Sequence, residues 1–382
     1  MKALFVLFLT TVLFCPLSQA QIDQSTWRFE PIWTIGGDDG DVFFSQIEHV
    51  VVGKDGTVYI HENRISTVRM FTPEGKEIGE FGSKGKAPGE FEDISNMYVA
   101  PNGNLFLSDF MQGRISEVTS NGKHLRVISA PPVVQYRSPI LGNDLKNDQL
   151  AVLFKNSSST HDVGKLFYTL DLETSAIGLP TADPMDILTE KDPVYEWVKG
   201  KYSAYRATSF PMKDGSILIY VAPWHYNGKS MRIPFKEGKF GSPQVFNVQK
   251  GFETEHAKKL DVSREEFSTI IRSGKLGAAG SFNGPEGSLF VDMISTALGF
   301  IQLSETQFGI YFNTEQVDPA QAYIDVFDAQ KGHIGRHKIE YPGIDSIGAP
   351  QLHATSTQGE YYVTHYTEDR TPLVSKMKLI RN

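Results

Sequence analysis

Phe44-Ser45-Gln46-Ile47-Glu48-His49-Val50-Val51-Val52-Gly53-Lys54-Asp55-Gly56-Thr57-Val58-Tyr59-Ile60 is echoed by Phe91-Glu92-Asp93-Ile94-Ser95-Asn96-Met97-Tyr98-Val99-Ala100-Pro101-Asn102-Gly103-Asn104-Leu105-Phe106-Leu107. Phe44 and Phe91, Ile47 and Ile94, Gly56 and Gly103, and Gly75 and Gly122 all stand 47 positions apart. Each copy sets apolar runs on either side of Asp55-Gly56 or Asn102-Gly103. Such dipeptides accept the positive φ of a tight hairpin. Third runs follow at residues 67–71 and 114–118, then turns at Pro73-Glu74-Gly75 and Ser120-Asn121-Gly122. Strand, hairpin, strand, loop, strand, turn and strand make one four-stranded propeller blade.

Further hairpin signals extend the pattern. They are Asn147-Asp148, Asp214-Gly215, Glu305-Thr306-Gln307 and Gln358-Gly359, each bordered by apolar, β-branched or aromatic residues. With the first two they predict an all-β, six-bladed β-propeller; segment 288–293 fits none of the six and keeps a seventh blade as the alternative. The last blade lacks a strand after residues 373–379, and the run at 29–35 can fill that place. Pairing the two ends in one sheet closes the ring and removes its edges.

The segment Phe81-Gly82-Ser83-Lys84-Gly85-Lys86-Ala87-Pro88-Gly89-Glu90-Phe91, followed by Asn102-Gly103-Asn104-Leu105-Phe106-Leu107-Ser108-Asp109 and Arg114-Ile115, resembles the NHL repeat. The resemblance spans residues 36–125 and fades beyond them. The chain is also similar to the exported six-bladed, TolB-like propellers of bacteria. This resemblance implies that Arg114 braces its blade. It also implies that a ligand or partner docks at one end of the central channel.

The N-terminus reads as a leader. Met1-Lys2 supply a positive start, residues 3–14 are apolar but for Thr10 and Thr11, Pro16 breaks the run, and Ser18-Gln19-Ala20 offers a cleavage site before Gln21. The run is shorter than the ~20 residues of a membrane-spanning helix. Residues 1–20 are therefore expected to be a signal peptide and 21–382 a single domain, periplasmic or extracellular, with no transmembrane segment in the mature chain. Cys15 leaves a lipoprotein as the alternative, although Phe14 is bulky where such signals carry a small residue. Cys15 is the only cysteine, so the mature chain is held by burial without disulfides. A net charge of −8 offers no attractive field to nucleic acid or to an anionic membrane.

Blade topology puts the start of each innermost strand and the end of each second strand at the same face. That face collects Glu48, His49, Ser95, Asn96 and His353 from strand starts, and His61, Glu62, Asp109 and His365 from strand ends. Trp224-His225-Tyr226-Asn227-Gly228 is the matching loop of a fourth blade, so Glu48, His49, Asn96, Asp109, His225, His353 and His365 are the candidate ligand-binding residues. Two short helical insertions are expected beside them. Asp192-Pro193 opens one at 192–200, and the capping box Ser263-Arg264-Glu265-Glu266 opens the other at 263–274. Each can plug a gap between blades or wall the channel mouth.

His49, His353 and His365 raise a channel metal ion, but none of the three stands in a His-x-x-x-His or His-Glu-x-x-His spacing. Asp38-Asp39-Gly40-Asp41 lacks the alternating ligands of a calcium loop. No nucleophile elbow and no mature cysteine is present. The sequence therefore favours a binding propeller for a peptide, glycan or protein ligand. A channel-centred enzyme, a metal-assisted lyase or hydrolase, is the alternative. N-terminal sequencing of the exported protein should begin at Gln21; a lipid on Cys15 would instead make it membrane-anchored.

Overall fold

Asp55 and Asn102 turn the chain by the same local chemistry. In the computed structural model, Asp55 Oδ1 accepts from the Thr57 amide at 3.0 Å, as Asn102 Oδ1 does from the Asn104 amide. Gly56 (φ 86°) and Gly103 (φ 90°) take the left-handed conformation that a side chain would strain. The structure describes residues 25–37, 40–129, 140–144, 149–153, 167–178, 207–212, 214–221, 229–237, 239–248, 258–263, 288–293, 296–313, 322–344, 350–355 and 359–381.

Every regular element among them is a strand. The first sheet runs Ile47–Val52, Val58–Glu62, Thr67–Phe71, Glu77–Phe81 in simple antiparallel order. The second repeats it with Ile94–Val99, Leu105–Asp109, Arg114–Val118, His124–Ser129. A third contains Ile140–Asp144, Gln149–Leu153, Phe167–Asp171 and Ile177–Gly178. A fourth contains Ala207–Pro211, Ser216–Val221, Lys229–Lys236, the short Lys239–Phe240, and Gln244–Asn247.

Eight further strands join into one continuous sheet through the N-terminal strand. Thr296–Gln302, Gln307–Asn313, Ala322–Asp328 and Gly332–Glu340 form one half. Gln351–Thr355, Tyr361–Tyr366 and Pro372–Ile380 form the other. Thr26–Gly36 lies between the halves, antiparallel to Pro372–Ile380 and, through Thr26 to Arg28, parallel to Gly332–Glu340. The expected closure of the last sheet by the N-terminal strand is thus present. Its second, parallel bond to the preceding sheet was not foreseen.

Neighbouring sheets stack face to face, in a propeller-like arrangement, because the middle strands are apolar on both sides. Val58, Ile60 and Phe71 pack on Ala354, Tyr362 and Val374 of the closing sheet. From the same sheet, Tyr59, Val68 and Met70 pack the other way, on Met97, Leu105 and Leu107. Successive side chains of a strand point to opposite faces, so a strand buried on both sides shows no polar alternation. Tyr98 and Phe106 continue the stack onto Leu150 and Leu170. Met212, Leu218 and Phe246 do so with Phe300, Phe308 and Phe327. Arg114 donates to the carbonyls of Lys86, Ala87 and Glu90 at 2.7–2.9 Å, bracing the link between sheets as expected.

Segment Ser288–Met293 pairs antiparallel with Lys258–Ser263 and with no other strand among the described residues. It is one arm of a two-stranded ribbon, which explains why it matched no blade. Ser263, expected to cap a helix, ends this strand; the rest of that insertion, the one at 192–200 and the leader lie outside the described residues.

Phe29 of the closing strand is wholly buried among Tyr311, Tyr341 and Tyr361. Phe29→Ala should therefore destabilise by about 3–5 kcal/mol. Removing residues 21–36 should expose a sheet edge and cause aggregation or a large fall in melting temperature. A truncated protein that stays monomeric and melts unchanged would disprove this role of the strand.

Candidate functional site

The two carboxylates that end the second strands do the same work one repeat apart. Glu62 accepts from the backbone amide of Ser45 at 2.8 Å, and Asp109 from that of Glu92 at 2.8 Å. Asp109 also accepts from the amides of Asp93 (3.4 Å) and Gln112 (3.1 Å) and from Gln112 Nε2 (2.7 Å). Glu62 takes Ser45 Oγ at 3.1 Å and Arg69 Nη1 at 3.2 Å. Both side chains are buried. Backbone bonds tie the same loops, Asn63 N to Gln46 O and Phe110 N to Asp93 O. A carboxylate so engaged fastens the link to the turn.

At this end five of the innermost strands share an irregularity that Ala207–Pro211 lacks. Their pairing with the second strand slips between Ile47 and His49, Ile94 and Asn96, Ile140 and Gly142, Ala297 and Gly299, and Leu352 and Ala354. Each slip is a β-bulge, which re-aims side chains and recurs beside functional sites. The bulge and the position after it hold Glu48 and His49 in the first sheet, and Ser95 and Asn96 in the second. In the closing sheet they hold His353 and Ala354, whereas Leu141-Gly142 and Leu298-Gly299 are apolar. Polar residues are therefore gathered on three neighbouring inner strands, since Ile47–Val52 lies beside both Ile94–Val99 and Gln351–Thr355.

The histidines meet at the centre of this arc. His49 stacks on His61 with ring centroids 5.6 Å apart and planes 13° from parallel. His61 has no solvent exposure, and neither of its ring nitrogens has a hydrogen-bond partner among the described residues. Burial, reinforced by the proximity of His49, pushes its pKa down to about 3. His353 Nε2 lies 2.8 Å from Thr364 Oγ1, and burial followed by the nearness of His49 lowers it too, to about 3. Tyr366 is raised by burial and by the charge of Glu48, which places Glu48 close to the closing sheet.

Of the sequence-derived candidates, the structure brings together Glu48, His49 and His353, all half-buried, with Asn96 at the equivalent place one sheet on. Asp109 is at the same end but is committed to backbone amides. His365 faces away from His353: its Nε2 lies 2.8 Å from Ser375 Oγ, itself 2.7 Å from Thr34 Oγ1 of the closing strand. His225 lies outside the described residues. His61, Ser95 and Thr364 were not in that candidate set. For His61 the signal was present, because His49–His61 and Asn96–Ser108 are the same cross-strand pair 47 positions apart. Among the described residues no cluster of His, Cys, Asp and Glu has the geometry of a metal site. No described helix is long and apolar enough to cross a membrane.

No family model matches the chain, and no curated protein does. Among solved structures, a member of the DUF4221 family from Bacteroides vulgatus is similar over 94% of this chain and 100% of its own, at 12% identity and a TM-score of 0.57. A Bacteroides fragilis protein named as exported is similar over 95% of this chain and 98% of its own, at 9% identity and a TM-score of 0.56. Likenesses at these identities establish the fold alone.

The buried imidazoles set the response to acid. His365 is lowered by burial to about 4, alongside the values of about 3 for His61 and His353. All three are neutral in the folded chain, whereas the unfolded chain takes up its protons through about pH 6.5. Their contribution to stability is complete above about pH 6.5 and is lost progressively as pH falls from there to the folded values. Melting temperature should fall steadily from pH 7 to pH 4.5, and less steeply in His61→Leu; equal slopes would remove His61 as a source.

Proposed function

We propose that this protein is an exported, six-bladed β-propeller that binds a ligand at the mouth of its central channel. The count of six is supported by the order of the innermost strands. Ile47–Val52, Ile94–Val99, Ile140–Asp144, Ala207–Pro211, Thr296–Gln302 and Gln351–Thr355 each pack beside the next, and the last lies beside the first. The two-stranded ribbon takes no place in this circuit. Export, to the periplasm or beyond, is supported by the leader-like residues 1–20 and agrees with the name of the Bacteroides fragilis relative.

The observation that carries the binding reading is the polar arc His353, Glu48, His49, Ser95 and Asn96 on three neighbouring bulged strands. Fold stability does not call for it, since the same two positions are apolar in Leu141-Gly142 and Leu298-Gly299. Binding sites concentrate convergent polar groups in an otherwise apolar concavity. We assign Asp109 to the scaffold and His365 to ring closure. His225 stays a candidate through its place in the sequence.

The test is a peptide and glycan array probed with labelled mature protein, followed by titration of the hits. Glu48→Gln, His49→Ala and Asn96→Ala should each weaken binding about tenfold or more with little change in melting temperature. Lys54→Ala, in the exposed turn at the opposite end, should leave binding intact. Binding lost through Lys54 and not through the arc would put the site on the wrong face.

A further inference from the structure

The hairpin turn Asn102-Gly103 is made of two residues that can react with each other. Glycine has no side chain to keep its amide nitrogen away from the side-chain carbonyl of the residue before it. Attack of the Gly103 nitrogen on Asn102 Cγ forms a carbon–nitrogen bond, closes a five-membered succinimide and expels the side-chain nitrogen as ammonia. Water then opens the ring at either carbonyl. One opening leaves aspartate in the ordinary chain; the other leaves isoaspartate, with an extra methylene in the main chain. Water enters, ammonia leaves, and nothing is oxidised or reduced.

Two Asn-Gly pairs lie among the described residues, Asn102-Gly103 and Asn121-Gly122, and both asparagines are exposed. Their resting hydrogen bonds are alike. Gly103 N donates to Ala100 O and Gly122 N to Thr119 O, each at 2.9 Å. Asn102 Oδ1 accepts from the Asn104 amide at 3.0 Å, and Asn121 Oδ1 accepts from Thr119 Oγ1. Releasing such a bond costs about 1 kcal/mol, so these contacts slow both turns and favour neither. Steric cover separates them. The attack requires the peptide group between the two residues to rotate. Gly122 lies under the ring of Phe81 from the first sheet, and a Cβ there would collide with that ring. Around the place of a Cβ on Gly103 there is nothing within 4 Å apart from its own chain neighbours. The equivalent turn of the first sheet is covered as well, since a Cβ on Gly56 would lie 2.8 Å from Pro73 Cγ. That turn carries Asp55, whose carboxylate is a far poorer target than an amide.

We propose that Asn102 is a site of spontaneous deamidation in the folded protein, selected over Asn121 by the open surroundings of Gly103. The two products differ in consequence. Asp55 already fills the equivalent place in the first sheet and accepts from the Thr57 amide as Asn102 accepts from that of Asn104, so aspartate keeps the hairpin. Isoaspartate lengthens the main chain between the paired residues Val99 and Leu105. Ala100 and Leu105, on either side of the turn, are both buried, and Ala100 N donates to Asn104 O at 2.8 Å. The extra methylene therefore has no room in the strands and must distort the turn.

The test is to age the mature protein at mildly alkaline pH and map its peptides by mass spectrometry with detection of isoaspartate. In the folded protein Asn102 should convert about tenfold faster than Asn121 or more, and in denaturant the two rates should converge. Phe81→Ala should speed conversion at Asn121 and leave Asn102 as it was. Asn102→Gln, whose longer side chain closes the corresponding ring much more slowly, should abolish conversion at that position. Asn227-Gly228 and Asn283-Gly284 lie outside the described residues and are resolved as separate peptides. Equal rates at Asn102 and Asn121 in the folded protein would overturn the inference, as would an Asn102 that converts only in denaturant. Asn102→Asp should melt like the native chain, and the aged fraction carrying isoaspartate at position 102 should melt lower. Identical melting of that fraction would overturn the structural consequence assigned to isoaspartate.

Discussion

Everything in this fold depends on how the two ends of the chain meet. A ring of stacked sheets has no stable open form, because an incomplete last sheet leaves a row of unpaired amides and carbonyls and a half-covered core. Here Thr26–Gly36 supplies the missing strand to Pro372–Ile380 and also seats its first residues against Gly332–Glu340. The seam is reinforced by side chains. Trp27 stacks on His337 at 4.0 Å and lies under the Arg381 guanidinium, while Thr34, Ser375 and His365 form a hydrogen-bonded line across the closing strands. Cys15 is the only cysteine, so no disulfide within the chain can reinforce this seam.

Closure explains why the local rules were so readable. Each sheet is a small antiparallel meander with short-range pairings, so its turns carry the information. Asp55-Gly56, Asn102-Gly103 and Asp214-Gly215 all fall between paired strands, and Gly56, Gly103, Gly215 and Gly359 take positive φ. The pairing of Thr26–Gly36 with Pro372–Ile380 was also legible, since one strand was missing at the end and one was spare at the start. The parallel contact with Gly332–Glu340 was not. It depends on where the strand passes in space, and no periodicity records that. Segment 288–293 was ambiguous for a related reason: an apolar strand in a two-stranded ribbon looks the same in sequence as one in a blade.

The candidate site was legible in position but not in role. Topology alone sent Glu48, His49, Asn96, Asp109 and His353 to one end of the sheets, and they are there. Sequence could not show that Asp109 is committed to the backbone, because that depends on how the amides of Glu92 and Asp93 come to face it. Nor does sequence show bulges. A one-residue slip at Glu48, Ser95 or His353 changes which side chains can converge, and it leaves no mark beyond the residues themselves. His365 shows the limit most clearly. It sits one residue from Thr364, yet alternation turns it away from His353 and into the seam.

The seam and the polar arc are therefore neighbours, which constrains how the site can move. His353 is on the closing sheet, His49 on the first, and between them run the apolar contacts of Phe44, Ile60 and Val374 that weld those sheets together. Opening the sheets to admit a ligand would break that core and strain the closure at Thr34 and Ser375. The sheet that closes the ring also fixes the place of His353 relative to His49. The same pairing of N- and C-terminal strands accordingly governs both the survival of the fold and the geometry of the candidate site.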